Sequence, residues 1–188
     1  MDRDSVTRML TEAGCIAARE EADELIQAAA GDPHVLDDLV ARRTKGEPVA
    51  WLTGSIMFCD LRLSVAPGVY VPRWQTEPLA RRAATLLPES GVAVDLCTGA
   101  GAIAAVMAAA VPTARVAATE LAPNAVRCAR GNGIEVFEGF LDDPLPRTFA
   151  HINIRMPGIR NPISPPIKKT AATPFSKTVC PASARAMN

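Results

Sequence analysis

Apolar positions near the start of the chain recur at helical spacing. Val6, Met9, Leu10 and Ala13 share one face, and Ala22, Leu25, Ile26 and Ala29 share another. Gly14 and Gly31 are natural stops. Asp32-Pro33 is an N-terminal helix signal, and Val35, Leu36, Leu39 and Val40 then line a third helix. Over residues 54–71 the period changes. "SIMFCDLRLSV" alternates or runs apolar, and "APG" supplies a turn before "VYV", which predicts a β-hairpin. Helical spacing returns near Thr76, with Leu79, Ala83 and Leu86 on one face.

Beyond residue 91 the period switches back and forth. Strands are predicted over 92–96, 114–119 and 134–138, with helices over 102–110 and 122–131. Strands alternating with helices at this spacing imply βαβ units and a parallel sheet, so the fold class is α/β. In such sheets ligands sit at the carboxyl ends of the strands. Asp95 to Gly101 and Glu120 fall there. "FAHINI" reads as one more short strand, after which prolines recur without any period. An extended or disordered tail is expected.

Composition sharpens that boundary. Residues 1–146 hold all 20 acidic residues and 13 Lys or Arg, whereas 147–188 hold 7 Lys or Arg, six prolines and no acid. Aromatic residues make up only 4%, which argues against binding single-stranded nucleic acid by stacking. The five cysteines form no C-x-x-C and have no clustered His partners, so neither a metal site nor a disulfide framework is expected. The start of the chain has no apolar leader and no run reaches membrane-spanning length. A cytoplasmic protein without a membrane partner is the plain reading.

The densest chemistry lies in "AVDLCTGAGAIA" (93–104). Gly99 and Gly101 suit a turn that needs positive φ or a close backbone approach, and a helix starting near Ala102 aims its free amides at the same spot. No G-K-[ST] follows, which excludes a Walker loop. A dinucleotide loop matches the spacing, with Glu120 placed to take ribose hydroxyls. Against it, a carboxylate at Asp95 would repel a pyrophosphate. It suits S-adenosyl-L-methionine instead, which has a sulfonium, an α-amino group, a ribose and no phosphate. A strand-to-helix turn with no ligand is the third possibility.

Several motifs in order narrow the choice. "ARRTKGEPVAWLTGSIMFCDLRLSVAPGVYVPRWQTEPL" (41–79) and "VDLCTGAGAIAAVMA" (94–108) resemble the HemK/PrmC group of protein-(glutamine-N5) methyltransferases. The chain is most similar to an actinobacterial-type branch with a shortened helical domain. The resemblance rests on Arg42 to Pro48, Gly54, Phe58, Pro67 to Arg73, Thr76-Glu77 and Asp95 to Ile103, and covers about residues 10–146. It implies a helical substrate-recognition domain (1–50), a hairpin connector (51–75) and a Rossmann-like class I methyltransferase domain, of which 76–146 would be an incomplete part followed by the basic, proline-rich tail (147–188) that composition marks.

The resemblance implies S-adenosyl-L-methionine as cofactor. Cys97, Thr98, Gly99, Ala100 and Gly101 would surround its methionine part and Glu120 its ribose, while Arg73, Thr76 and Glu77 would close the pocket. It implies a protein partner carrying a target glutamine, either a release factor with a Gly-Gly-Gln motif or a ribosomal protein, and no direct nucleic-acid partner.

Two departures stand out. Phe140 occupies the place of a family Asp near the adenine, with Asp142 and Asp143 close by. The Asn-Pro-Pro-Tyr signature, whose Asn and proline carbonyl would orient the substrate amide, is missing. "RMPGIRNPISPP" stands there, Asn161-Pro162 has neither second proline nor aromatic, and the only tyrosine is Tyr70. No catalytic residue is assigned. Truncation or a frame change after about residue 146 is expected. The alternatives are an inactive copy, a non-catalytic remnant that binds cofactor or protein, and an RNA-binding tail.

Overall fold

Asp2 and Asp32 start two of the N-terminal helices by accepting hydrogen bonds from first-turn amides that would otherwise lack partners. Asp2 accepts from Ser5 N at 2.9 Å, at the head of α1 (Arg3–Glu12). Asp32 accepts from His34 N at 2.8 Å and Val35 N at 3.3 Å, at the head of α3 (Pro33–Thr44). Between them, α2 (Ala18–Ala29) stops where Ala30 and Gly31 turn left-handed, at φ 50° and 87°. The computed structural model describes residues 1–149 of the chain.

The three helices bury one cluster built on Val6, Leu10, Ala22, Leu25, Leu36, Leu39 and Val40. Met9 and Val35, placed on those faces by spacing, are exposed. A short helix, α4 (Val49–Thr53), follows between Pro48 and a left-handed Gly54. Five residues are too few to show a period, so the sequence pattern misses it. The charges of the Arg42-to-Pro48 motif have a structural use. Arg42 makes a bidentate pair with Glu47 at 2.8 and 2.7 Å. Arg43 makes another with Glu21 of α2 at 2.7 and 3.1 Å, more than four-fifths buried on both sides.

The hairpin is tighter than predicted. β1 (Ser55–Phe58) pairs antiparallel with β2 (Leu61–Ser64), and Phe58 faces Leu61. The turn is Cys59-Asp60, at φ 48° and 65°, and not "APG". Two left-handed residues match the twist of a two-residue hairpin loop. "VYV" forms no strand.

β3 (Val92–Leu96), β4 (Arg115–Glu120) and β5 (Glu135–Glu138) form a parallel sheet in that order, joined by α6 (Ala102–Ala110) and α7 (Pro123–Gly131). The fold is α/β, a partial Rossmann-like arrangement. One cluster joins Ala93, Val116, Ala118 and Val136 of the sheet to Phe58 and Leu63 of the hairpin and to the helices. A smaller cluster joins Val94, Ala117 and Phe137 to Leu145 and Phe149.

The inward face of α5 (Glu77–Leu86) corrects the sequence reading. Ala80 and Ala84 are buried, while Leu79 and Leu86 are 40% and 51% exposed. The Ala-rich wall of α6 lies in the same cluster, and close approach there favours alanine over leucine. Leu79→Ala is therefore expected to change unfolding free energy by under about 0.5 kcal/mol. Ala80→Leu should cost about 1–3 kcal/mol by overpacking. Urea unfolding of both variants reads the difference.

Candidate functional site

The carboxyl ends of β3 and β4 carry the site. After Leu96 the chain turns through Cys97, Gly99 and Gly101, all at positive φ (60°, 60° and 84°), and Gly101 N closes the turn on Thr98 O at 2.9 Å. Thr98 N donates to Thr119 O at 3.0 Å, which extends the strand pairing into the loop. Gly101 then caps α6.

The two glycines have different uses. At Gly99 a Cβ would meet nothing within 4 Å, so this side of the loop faces open space. At Gly101 a Cβ would lie 3.1 Å from Ala129 Cβ and 3.2 Å from Ile134 Cγ1. Gly99 leaves room for a ligand. Gly101 lets α6 approach α7.

Two carboxylates flank the loop. Asp95 is partly buried and accepts from Thr98 Oγ1 at 2.6 Å. Burial pushes its pKa above the ordinary 3.8, aided by the charge of Glu120 and opposed by hydrogen bonds from Thr98 and the Ala104 amide. With the folded pKa raised, Asp95 favours folding most at low pH, and that contribution is lost as pH rises from 3.8 through the folded value. Asp95→Asn should therefore melt above wild type at pH 7, and the gap should close as pH falls below that window. Thermal melts across pH measure it.

Glu120 is tied down by backbone. Oε2 accepts from Gly99 N at 2.9 Å, and Oε1 accepts from Leu121 N at 2.8 Å and Ala122 N at 3.0 Å. A carboxylate has about four acceptor positions. One therefore remains for a ligand hydroxyl, on Oε2. The pair suits a ligand that offers hydroxyl or cationic groups, and suits a phosphate poorly. Among the described residues no group of three or more His, Cys, Asp or Glu side chains gathers as a metal site.

The connector residues take separate positions. Arg73 stands over the Tyr70 ring at 5.8 Å and lines an open groove of about 320 Å³ with Pro48, Trp51, Tyr70 and Val71. Trp51 Nε1 donates to Val69 O at 2.8 Å, which fixes the indole in that wall. Thr76 precedes α5 without a side-chain cap, and Glu77 pairs with Arg81 at 3.7 Å. No hydrogen bond or ion pair joins Arg73, Thr76 or Glu77 to the glycine loop among the described residues. Cys97 is exposed on the loop, and Ala100 is buried behind it. Phe140 is exposed in the turn after β5, where Asp143 N bonds Phe140 O. "RMPGIRNPISPP" and the basic tail lie outside the described residues.

Sequence reasoning missed Asn132. It ends α7 and donates to Ala100 O of the loop at 2.9 Å. An Asn just past a helix reads locally as an ordinary cap, and nothing in the local pattern marks its distant partner.

No family model matches the chain. Curated relatives do. A release factor glutamine methyltransferase of Mycolicibacterium smegmatis is 37% identical over 161 residues, covering 75% of this chain and 57% of the relative. One of Streptomyces coelicolor is 38% identical over 143 residues, covering 67% and 51%. The chain is similar to release factor glutamine methyltransferases over about 70% of its own length. It spans about half the length of these curated relatives. A 4-amino-L-phenylalanine/4-methylamino-L-phenylalanine methyltransferase of Streptomyces pristinaespiralis is 32% identical over 177 residues, covering 80% of this chain and 61% of that relative. No helix among the described residues is long and apolar enough to cross a membrane.

Proposed function

We propose that the glycine loop binds S-adenosyl-L-methionine, and that the chain belongs to a system that methylates a glutamine side chain of a release factor. The observation that carries the reading is the open space beside Gly99, in a loop that bonds Asp95 through Thr98 and Glu120 through the Gly99 amide, in a chain whose relatives are named as methyltransferases. The residues fit the cofactor. Asp95 faces a cationic amino-acid end favourably, Glu120 Oε2 has one acceptor position left for a ribose hydroxyl, and nothing in the loop demands a phosphate. Cys97 and Thr98 complete the cradle around the methionine part, and Ala100 supports it from behind. When bound, the cofactor would supply a methyl group, whose C–S electrons stay on sulfur as the amide nitrogen lone pair forms the N–C bond and one N–H proton passes to solvent.

Residues 76–146 are the cofactor unit in this reading. Residues 1–50 recognise the protein substrate, and Arg73 of the connector 51–75 lines the groove with Pro48, Trp51, Tyr70 and Val71. In this reading Arg73, Thr76 and Glu77 close the pocket from the connector. The chain contains no Asn-Pro-Pro-Tyr. Without that amide-orienting group, cofactor binding is retained and transfer is slow, because positioning supplies much of the rate for a weak amide nucleophile.

The Streptomyces pristinaespiralis relative supports a second reading, in which the acceptor is the amine of a small aromatic amino acid. Mass spectrometry after incubation with cofactor separates the two. The acceptors are a Gly-Gly-Gln release factor, a ribosomal protein and 4-amino-L-phenylalanine. Methylated glutamine in the release factor alone supports the first reading. Methylated amino acid supports the second. Cofactor binding with transfer to none of them identifies a non-catalytic module and overturns the enzymatic reading.

A further inference from the structure

We infer that Asn132 is a positioning residue that couples the hairpin to the glycine loop, so that cofactor binding and order at β2 rise and fall together. The inference rests on the cofactor reading above. One amide makes three backbone hydrogen bonds to two distant segments. Asn132 Oδ1 accepts from Ser64 N at 2.8 Å, and Nδ2 donates to Ser64 O at 2.9 Å and to Ala100 O at 2.9 Å. The partners lie 68 and 32 residues away in sequence.

The chemistry demands this side chain. The site needs one acceptor and two donors in one plane at a fixed reach. Aspartate lacks the donors and would face two carbonyl oxygens with a negative charge. Alanine leaves all three backbone groups without this partner. The base of the side chain is fixed too. Asn132 N donates to Cys128 O and Ala129 O at 3.1 Å each, and Gly133 then turns left-handed toward β5. Cys128 Sγ lies 3.2 Å from Ser64 O, against the same carbonyl.

The loop is thereby held from two sides at adjacent residues. Glu120 holds the Gly99 N–H, and Asn132 holds the Ala100 carbonyl. Together they set the orientation of the peptide units around the open face at Gly99. Ala100 is buried in one apolar cluster with Val65 and Val69, which follow β2, so the polar clamp and the apolar contact tie the same two segments. A ligand that orders the loop must order Ser64 through this amide, and the effect is reciprocal.

The test uses Asn132→Asp and Asn132→Ala in the full chain, with amide hydrogen exchange followed by NMR and S-adenosyl-L-methionine titrated by calorimetry. In the unliganded protein, exchange at Gly99 to Gly101 should speed up at least about tenfold in both variants, while the α1–α3 core keeps its protection and reports an intact fold. Cofactor should bind at least about tenfold more weakly. In wild type, cofactor should slow exchange at the Ser64 amide, and that distant response should vanish in both variants. A residue that only stabilised the fold would slow or speed exchange everywhere alike. Unchanged loop exchange and unchanged affinity in both variants overturn the coupling. If wild type binds no cofactor, the cofactor reading fails, and unliganded loop exchange still decides whether Asn132 holds the loop.

Discussion

Gly101→Val is expected to cost about 2–5 kcal/mol of folding stability. Two penalties combine. A branched side chain at φ 84° meets the left-handed penalty, about 1–2 kcal/mol or more for a β-branched residue. Its Cβ would also press on Ala129 and Ile134 at 3.1 and 3.2 Å, and overpacking adds about 1–3 kcal/mol. Gly99→Val is the control. Its Cβ meets nothing, so only the backbone penalty of about 1–2 kcal/mol applies. The added methyl groups nevertheless occupy the open side of the loop, and cofactor affinity should fall by about a hundredfold or more. Urea unfolding and calorimetry read the two effects separately. Equal stability loss in both variants would refute the division of labour between the glycines.

Glu120→Ala should have the largest effect on the site. It removes the acceptor of Gly99, Leu121 and Ala122 amides at once, and hydrogen bonds to charged groups contribute about 1.5–3 kcal/mol each when buried. Glu120 is only partly buried, so water replaces some of them, and a net stability loss of about 2 kcal/mol is expected. Cofactor affinity should fall by about a hundredfold, because the ribose acceptor and the loop anchor go together. Glu120→Gln keeps one oxygen acceptor but turns an N–H₂ toward backbone donors, and should lie between wild type and Glu120→Ala. Loss of affinity with unchanged exchange at Gly99 would leave Glu120 as a ligand contact alone, and would contradict its anchoring of the loop.

The βαβ order was legible because apolar runs bounded by glycine and proline are short, and the switch of period at residue 91 is unambiguous. The predicted strand 92–96 and helix 102–110 match β3 and α6. The inward face of α5 was not legible. Larger apolar residues mark a core face by burial gain, but close helix contact selects alanine, and only the tertiary neighbour shows which rule applies. The Cys59-Asp60 turn was hidden because neither residue is a glycine. At the site, Asp95, Gly99, Gly101 and Glu120 stand together at the strand ends, as topology requires. The bond from Gly99 N to Glu120 and the reach of Asn132 to Ser64 were invisible, since both join segments that no local pattern relates.

Calorimetric titration of the wild-type chain with S-adenosyl-L-methionine, with NAD as competitor, tests the cofactor assignment most directly. Saturable binding at one site is expected, weakened about a hundredfold in Gly99→Val and Glu120→Ala and unaffected by NAD. Binding of NAD in place of S-adenosyl-L-methionine, or no binding of either by a folded chain, would contradict it.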